Sequence, residues 1–298
     1  MQNNTKNNGL PLLGALEAGG TKMICAIGTA DGKILDRASF PTETPETTMP
    51  KMIAYFKDKG IKALGIGCFG PIDLIKNSKT YGFITTTPKL AWRNFNIVKA
   101  FTDALKVPAG FDTDVNAAVL GEAAFGAAKG LNNAIYATIG TGVGIGVLSE
   151  GRLLHGILHP EGGHILIARR SDDTVKSACP FHDNCLEGLA AGPAIEKRYG
   201  KKGFELKDRP EVWELEAYYI AQALVDYTLL LAPERIVLGG GVMAQEQLFP
   251  LIRERFAELM NGYLSVKALD DLNSFIVPSA LNGNQAVLGC FMLAAKEQ

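Results

Sequence analysis

The stretch that decides the fold is residues 10–40, LPLLGALEAGGTKMICAIGTADGKILDRASF, because residues 133–156, NAIYATIGTGVGIGVLSEGRLLHG, repeat its plan. Each stretch predicts a strand, a glycine turn, a second strand, a tight hairpin turn and a third strand. The hairpin turns are Asp31-Gly32 in the first copy and Glu150-Gly151 in the second. Two such antiparallel meanders in one chain predict a duplicated α/β protein.

Alternating helices and strands follow the meanders. Further strands are predicted at residues 62–69, 109–113 and 235–240, and helices at residues 45–60, 94–106, 114–127, 213–233, 245–261 and 283–296. We therefore expect an N-terminal α/β lobe over residues 10–117 and a C-terminal α/β lobe over residues 118–282, with a cleft between them. The last helix, at about residues 283–296, is expected to return and pack on the first lobe.

Composition and charge exclude several classes of protein. The chain has 298 residues, 47% hydrophobic and 20% charged, which is typical of a globular protein with an ample core. Thirty basic and 31 acidic residues, without a basic run, argue against a nucleic-acid partner. The polar opening MQNNTKNNGLP predicts a loose end rather than a signal peptide, and no apolar run predicts a membrane span. Five scattered cysteines do not suggest a disulfide framework, so we expect a cytoplasmic protein.

Three glycine turns are candidates for phosphate binding. In such a turn, backbone N–H groups can face a phosphate without a Cβ in the way. The turns contain Gly19, Gly20 and Thr21; Gly140, Thr141 and Gly142; and Gly239, Gly240 and Gly241. Each turn alone could be purely structural, since hairpins need glycine, but three of them in a duplicated fold favour a nucleotide.

Two other nucleotide-binding patterns are not supported. The sequence has no Gly-x-x-x-x-Gly-Lys-Ser/Thr, which excludes a P-loop NTPase. Gly65, Gly67 and Gly70 match the dinucleotide fingerprint, but residues 71–93 do not predict a helix. An acidic residue about twenty positions further on, which would bind a ribose, is also missing. We therefore reject a Rossmann-type dinucleotide site.

Asp114 is the candidate catalytic carboxylate. It follows the strand predicted at residues 109–113, at the expected N-cap of the next helix. The carboxyl end of a strand in an α/β lobe is also where ligands bind. Phosphoryl transfer to an alcohol needs a base close to the hydroxyl, and an aspartate can fill that role. Local sequence leaves both interpretations open, a helix cap alone or a base.

A second cluster has the residue types that bind zinc. His164, Cys179, His182 and Cys185 offer two nitrogens and two sulfurs, a complete tetrahedral set. A catalytic zinc needs an open position for water, which four protein ligands do not leave. The site is therefore predicted to be structural. Ordinary loop thiols remain an alternative, and His155 or His159 lies close enough in sequence to replace one ligand.

Taken together, the motifs resemble those of the ROK family of sugar kinases. LEAGGTK, FDTDVNAAVLGE, TIGTGVGIGVL, HPEGGH, the His/Cys cluster with Glu187, and VLGGGV occur in the family's order over roughly residues 10–296. FGPIDL and TTPKLAWRNF are similar to the bacterial ROK fructokinases. The resemblance implies an actin/hexokinase-type ATPase fold of two ribonuclease-H-like lobes. It implies ATP-dependent phosphorylation of a hexose. The expected substrate is D-fructose, which would be converted to D-fructose 6-phosphate.

The resemblance also implies roles for single residues. By this resemblance, Asp114 stands at the position of the general base that deprotonates the sugar hydroxyl. The sugar-binding positions are Asn116, Glu161, His164 and Glu187. The phosphate- and nucleotide-binding positions are Gly19, Gly20, Thr21, Lys22, Thr141, Gly142, Gly239, Gly240 and Gly241. Mg2+ would bridge the phosphates of ATP. Zn2+, held by His164, Cys179, His182 and Cys185, would fix the segments that carry two of the sugar-binding residues.

The sequence departs from the family pattern at two places. Many ROK kinases have aspartate where this chain has Glu17, so a longer carboxylate stands where a magnesium-organising acid is expected. The metal cluster in much of the family has one histidine and three cysteines, whereas His182 replaces a thiolate here.

Other functions compatible with the same motifs are a hexokinase that also accepts mannose or glucose, and a non-catalytic sugar sensor. A sugar-responsive repressor of the same family would need an added N-terminal helix-turn-helix, which we do not expect. The expected partners are a sugar and ATP, and the family resemblance implies a homodimer.

Overall fold

The computed structural model describes residues 9–298. Its strands are, in chain order, β1 Leu13–Ala18, β2 Lys22–Gly28, β3 Ile34–Pro41, β4 Ala63–Cys68, β5 Phe83–Ile84, β6 Phe95–Asn96, β7 Ala109–Thr113, β8 Ala134–Ile139, β9 Val143–Ser149, β10 Arg152–Leu153, β11 Arg235–Gly239 and β12 Ile276–Pro278. The prediction of a loose N-terminal end was made for residues 1–11, of which residues 1–8 lie outside the described part of the chain.

The six predicted helices are present, each within four residues of its predicted ends. The α-helices are α1 Pro45–Phe56, α2 Ile97–Leu105, α3 Asp114–Phe125, α4 Leu186–Ala190, α5 Gly192–Tyr199, α6 Pro210–Leu231, α7 Leu248–Met260, α8 Leu272–Phe275 and α9 Gln285–Ala295. Of these, α4, α5 and α8 were not predicted. Pro45 and Pro210 occupy first-turn positions, where the missing N–H costs nothing. The side chain of Asn96 caps α2 by accepting the backbone N–H of Lys99 at 2.8 Å.

The chain divides into two compact units. Unit 1 comprises residues 155–159, 281–298 and the described residues up to 126, and unit 2 comprises residues 127–154 and 160–280. The division falls after Gly126 rather than after residue 117, because helix α3 packs against α9 and β4 of unit 1. Helix α3 therefore belongs wholly to unit 1.

Unit 1 is built on a five-stranded sheet in the order β3-β2-β1-β4-β7. The first three strands are antiparallel, and β4 and β7 continue the sheet parallel to β1. Helix α9 crosses close to α3, since a Cβ at Gly289 would lie 1.6 Å from the carbonyl oxygen of Ala117. The β7–α3 junction, where Asp114 is located, is therefore held between the sheet and a helix from the C-terminal end of the chain.

Unit 2 repeats this arrangement. Its five-stranded sheet has the order β10-β9-β8-β11-β12, with an antiparallel meander first and parallel strands after it. Glu150 and Gly151 both have positive φ at the β9–β10 turn, as a tight hairpin requires. The duplicated α/β architecture predicted from the two meanders is confirmed.

Each unit has its own core. Trp92, Phe56 and Phe101 are buried in unit 1, and Trp213 and Phe256 are buried in unit 2. The five cysteines are buried free thiols. Between residues 9 and 298, none of the helices has both the length and the hydrophobicity that a membrane crossing requires.

Candidate active site

Asp114 is the first residue of α3, and the residue before it caps the helix. Thr113 has extended backbone angles, and its hydroxyl accepts the N–H of Asn116 at 3.0 Å. The prediction that Asp114 is the N-cap is therefore wrong. Thr113 takes the role because it stands at the last strand residue, where the backbone is still extended and a hydroxyl can reach the first turn. Asp114 instead accepts the N–H of Val115 at 2.9 Å.

Two carboxyl groups in unit 1 have raised pKa values. Burial raises the pKa of Asp114 to about 6, although hydrogen bonding from the Val115 N–H lowers it in part. Burial, and next the negative charge of Asp114, raise the pKa of Glu17 to about 7, against the opposing charges of Lys22 and Arg37. Glu17 Oε2 is buried without a hydrogen-bond partner among the described residues. A site with two such carboxyls is suited to binding a cation or a proton.

Asp112 is a site residue that the sequence analysis missed. Its side chain is buried, and Oδ1 accepts the side-chain amide of Asn116 at 2.7 Å. Oδ2 lies 2.9 Å from His155 Nε2, and this hydrogen bond raises the pKa of His155. Asn116 is completely buried. The FDTD pattern contained the signal, a second aspartate near the carboxyl end of the same strand, where ligands bind in α/β lobes, but Asp114 alone drew attention.

The glycine turn of unit 1 joins β1 to β2. The N–H of Gly19 donates to the carbonyl of Lys22 at 3.1 Å, and the hydroxyl of Thr42 donates to the carbonyl of Gly19 at 2.8 Å. A Cβ at Gly20 would lie 3.2 Å from Cε of Lys89. Thr21 and Lys22 are exposed. The contacts of Gly19 and Gly20 thus fix the turn, while Thr21 and Lys22 are open to solvent.

The two glycine turns of unit 2 lie side by side. A Cβ at Gly140 would be 3.6 Å from the backbone nitrogen of Gly241, although a hundred residues separate them. Gly240 has φ +92° and packs against the backbone of Ile139, so only glycine fits there. The turn at residues 239–241 leads into a short 3-10 turn, and α7 begins only at Leu248. The sequence predicted the helix to begin closer to the glycines.

The four zinc-ligand candidates converge. One ligand atom from each of His164, Cys179, His182 and Cys185 lies within 4.8 Å of the others. Cys179 Sγ is 3.8 Å from His164 Nδ1 and 3.7 Å from His182 Nδ1, and Cys185 Sγ is 3.7 Å from His164 Nδ1. The other two candidates are engaged elsewhere: His155 bonds Asp112, and His159 Nε2 accepts the N–H of Ile72 at 3.2 Å.

Glu187 connects this cluster to strand β9. Its Oε2 accepts the N–H of Val143 at 2.9 Å, and its Oε1 lies 3.9 Å from His164 Nε2. His164 therefore directs one ring nitrogen at the thiols and the other at a carboxylate. Glu161 is exposed at the start of the 3-10 turn that carries His164, and its carbonyl accepts the His164 N–H at 3.0 Å.

Each unit thus gathers its own subset of the predicted residues. Unit 1 contains Asp114, Glu17 and the turn at residues 19–22. The subset of unit 2 consists of Glu161, Glu187, Thr141, Gly142, the His/Cys cluster and the turn at residues 239–241. Residues far apart in sequence are brought together within unit 2, and a carboxylate pair is brought together within unit 1.

Comparison with known proteins assigns the family. The ROK family pattern matches residues 13–297. A protein of Bacillus subtilis (strain 168) named putative fructokinase is 53% identical over 284 residues, covering 95% of each chain. A fructokinase of Pediococcus pentosaceus is 48% identical over 283 residues, covering 95% of this chain and 97% of that one.

A solved structure agrees with this assignment. The crystal structure of the ROK hexokinase from Thermus thermophilus has a TM-score of 0.78 and 26% identity, and the match covers 96% of this chain and 98% of that chain. The α/β fold of two ribonuclease-H-like, actin/hexokinase-type lobes that the sequence motifs implied is confirmed. The chain therefore belongs to the ROK family.

Proposed function

We propose that the chain transfers the terminal phosphoryl group of ATP to D-fructose and forms D-fructose 6-phosphate. The observation that carries the proposal is the match, over nearly the whole chain, to two relatives that bear the name fructokinase, at 53% and 48% identity. The site supports it, because a carboxylate with a raised pKa, glycine turns and a group of sugar-type hydrogen-bonding residues occur in one chain.

Asp114 is the general base in this proposal. Its carboxylate accepts the proton of the fructose 6-hydroxyl while that oxygen bonds to the terminal phosphorus, and ADP leaves with the electrons of the broken P–O bond. With a pKa of about 6, the group is ionised at neutral pH and basic enough to take a proton in the transition state. It is partly exposed, so a substrate hydroxyl can reach it.

The glycine turns supply the nucleotide-binding groups. In unit 1, Gly19, Gly20, Thr21 and Lys22 face the terminal phosphates, with Lys22 as an exposed cation. In unit 2, Thr141 and Gly142 lie beside the phosphate chain, and Gly239, Gly240 and Gly241 accommodate the adenosine. The proximity of Gly140 to Gly241 supports a single binding surface for these two turns.

Glu17 fits the role of an acid that organises magnesium. Its Oε2 is a buried oxygen without a partner among the described residues, and such an atom is costly unless a cation or a water binds it. Magnesium, when bound, neutralises the charge on the phosphates. A Glu17 carboxylate that is half protonated near pH 7 would lose its proton when a cation arrives.

Glu161, His164 and Glu187 bind the hydroxyl groups of the sugar in this proposal. The Val143 N–H holds Glu187 Oε2, so Oε1, which lies 3.9 Å from His164 Nε2, has a fixed direction. Asn116 is completely buried and donates to Asp112, so we assign it a supporting role without direct contact to the sugar.

The His/Cys cluster fits a structural zinc ion. A tetrahedral site with ordinary Zn–S and Zn–N bond lengths requires sulfur–nitrogen distances of about 3.6 Å. The three sulfur–nitrogen distances here are 3.7 or 3.8 Å. Glu187 Oε1 lies 3.9 Å from His164 Nε2, on the side of the ring from which a carboxylate orients a ligating histidine. His164, Cys179, His182 and Cys185 would hold the ion, which would keep the residues around Glu161 and Glu187 in place.

The proposal is tested with a panel of hexoses. Purified protein is given MgATP with fructose, mannose or glucose, kcat/KM is measured by coupled ADP release, and the product is identified by NMR. We expect fructose to have the highest kcat/KM and to yield the 6-phosphate. A higher value for mannose or glucose would make the protein a broader hexokinase, and no turnover with any hexose would favour a sugar sensor. A homodimer in the cytoplasm stays part of the proposal.

A further inference from the structure

The segment that follows His164 and ends at Cys185 has little regular structure of its own. Residues 165–185 contain only an isolated bridge between Leu166 and Cys185, and yet they carry three of the four zinc-ligand candidates. Helix α4, which contains Glu187, begins directly after them. A loop of this kind cannot place metal ligands and a sugar-binding carboxylate accurately unless other contacts hold it. We call residues 165–185 the metal loop.

Arg198 on helix α5 makes such contacts. One terminal nitrogen of its guanidinium donates to Asp173 Oδ2 at 3.0 Å and to the carbonyl of Leu189 at 2.9 Å. The other donates to Glu216 Oε1 at 3.1 Å. The Arg198 side chain is 7% exposed. One buried cation therefore joins the middle of the metal loop, helix α4 and helix α6.

Further hydrogen bonds fix the position of Asp173 in the loop. Asp173 Oδ2 accepts the hydroxyl of Tyr219 at 2.7 Å, and Oδ1 accepts the N–H of Val175 at 3.2 Å. Arg169 donates to the carbonyls of Val175 and Asp183. The Asp173 side chain is 1% exposed and that of Glu216 is fully buried.

Lys197, the residue before Arg198 on α5, contacts the metal loop just before Cys179. Lys197 Nζ donates to the carbonyl of Ser177 at 3.0 Å, and the hydroxyl of Ser177 accepts the N–H of Cys179 at 3.1 Å. On the other side of the loop, Cys185 Sγ accepts the N–H of Gly188 at the start of α4. Helix α5 is thus connected both to the residues before Cys179 and, through Leu189, to the helix that carries Glu187.

Stability alone does not explain this buried charge cluster. Ions removed from water lose hydration, and apolar side chains of similar volume often stabilise a protein as well or better. A buried arginine with three acceptors does fix geometry, because its planar guanidinium binds in several directions at once. The cluster connects the two segments whose relative position determines where Glu187 and the zinc ligands lie.

We infer that Arg198 is a positioning residue: its guanidinium, with Asp173, Glu216 and Tyr219, holds the metal loop and helix α4 so that the zinc ligands and Glu187 keep their places. The inference rests on the proposed function, since zinc binding and the contact of Glu187 with fructose are parts of it. It assigns Arg198 an effect on the metal and on the sugar, with little effect on ATP.

The test uses the zinc-loaded full-length enzyme and four proteins: wild type, Arg198→Lys, Tyr219→Phe and Arg170→Gln. Lysine keeps the charge but cannot bind three acceptors in one plane. Phenylalanine removes only the hydroxyl, which donates to Asp173 and accepts the backbone N–H of Arg170 on the same loop. This variant keeps the test valid if Arg198→Lys does not fold. Arg170→Gln is the matched control, because Arg170 lies on the same loop and its side chain forms an exposed ion pair with Asp172.

Two readouts separate positioning from mere stability. Zinc transfer to a coloured chelator needs no kinase activity, and KM is measured separately for fructose and for ATP. We expect Arg198→Lys to release zinc roughly 10-fold faster or more, and to raise KM for fructose by a similar factor, with KM for ATP changed less than about twofold. Tyr219→Phe should change both in the same direction by less, and Arg170→Gln should match wild type.

A lower melting temperature in Arg198→Lys and Tyr219→Phe, with zinc release and KM for fructose unchanged, would overturn the inference and leave a structural role. Failure of the proposed function looks different. A wild-type protein that phosphorylates no hexose removes the proposed function, and one that contains no zinc removes the proposed metal site, before any variant is compared.

Discussion

At the scale of single residues, Thr113 leaves the carboxylate of Asp114 available for chemistry. The Thr113 hydroxyl accepts the N–H of Asn116, which is the bond that a capping aspartate would otherwise make. Asp112, rather than Asp114, binds Asn116 and His155, and the bond that Asp114 makes at the β7–α3 junction is with the N–H of Val115. Because Thr113 caps the helix and Asp112 binds Asn116 and His155, Asp114 is not tied to these roles and can serve as a base.

The raised pKa of Asp114 predicts how the rate depends on pH. The base acts only when ionised, and burial raises its pKa from 3.8 to about 6. We therefore expect kcat/KM for fructose to rise with pH up to about 6 and to level off above it, at saturating MgATP. A pH–rate profile measures this, with the coupling enzymes in excess at each pH. A rate that stays constant down to pH 4.5 would contradict the assignment.

The same shift predicts that Asp114→Asn stabilises the protein at high pH. A carboxyl whose pKa is raised on folding binds its proton more tightly in the folded state, so stability is lost as pH rises from about 4 to about 6 and stays lost above that. Asparagine removes this cost and keeps an oxygen for the Val115 N–H. We expect the free energy of unfolding to increase by about 1–2 kcal/mol at pH 8, and by less at pH 5, in urea titrations. An equal change at both pH values would refute the linkage.

The sequence identified Asp114 but not its surroundings. Threonine and aspartate both cap helices well, and in the series Asp112, Thr113, Asp114 only the backbone angles decide which residue does so. The role of Asp112 depends on His155, which is 43 residues away and is brought close by the fold. Local patterns carry no information on such contacts.

At the scale of elements, the turn at residues 162–164 is packed directly on strand β9. A Cβ at Gly163 would lie 1.9 Å from the carbonyl oxygen of Val143, and a Cβ at Gly162 would meet the side chain of Ile145. The hydroxyl of Tyr227 donates to the carbonyl of Gly162 at 2.9 Å. The glycines of the EGGH motif thus bring His164 close to the strand whose first N–H binds Glu187.

Gly163→Ala should therefore disturb the site as well as the fold. Because the clash is with backbone, the turn must move, and we expect a loss of about 2 kcal/mol in the free energy of unfolding together with a raised KM for fructose. Chemical denaturation and steady-state kinetics measure the two effects. Gly156→Ala is the control, since its added Cβ would lie 4.0 Å from the nearest atom outside its neighbours, and it should change stability by less than about 0.5 kcal/mol. Similar losses in both variants would contradict the packing argument.

Long periodic elements were predictable and short ones were not. The helix predicted at residues 213–233 follows from three-to-four-residue apolar spacing, and it is present as Pro210–Leu231. The two-residue strands β5 and β6 were missed, and so were α4 and α5. Pairs of residues have no periodicity, and α4 is held by Cys185 and Arg198 rather than by its own propensity.

At the scale of the whole molecule, two sheets of the same strand order carry different parts of the candidate site. Unit 1 holds the carboxylates Glu17 and Asp114, and unit 2 holds Glu161, Glu187 and the His/Cys cluster. The duplication was visible in the sequence because both meanders keep their glycine turns. The exact division after Gly126 was not, because it depends on the packing of α3 against a helix from the other end of the chain.

Removal of zinc should therefore affect the sugar more than the nucleotide. Chelation of the ion from the folded enzyme would free the metal loop, and we expect KM for fructose to rise about 10-fold or more while KM for ATP changes little. The melting temperature should fall by about 5 °C or more, since bound metal stabilises the folded state. Metal analysis, calorimetry and kinetics on the same sample check this, and re-addition of zinc is the control. Protein that is free of zinc and yet fully active would rule out the structural metal.

The proposed mechanism depends on the carboxylate of Asp114, which removes the proton from the fructose hydroxyl. The most direct measurement is kcat for Asp114→Asn at saturating fructose and MgATP, beside Asp103→Asn, whose exposed carboxylate pairs with Lys99 on the surface of α2. We predict that Asp114→Asn lowers kcat by roughly 10²- to 10⁴-fold with KM for ATP little changed, and that Asp103→Asn equals wild type. Turnover of Asp114→Asn equal to that of wild type would contradict the claim.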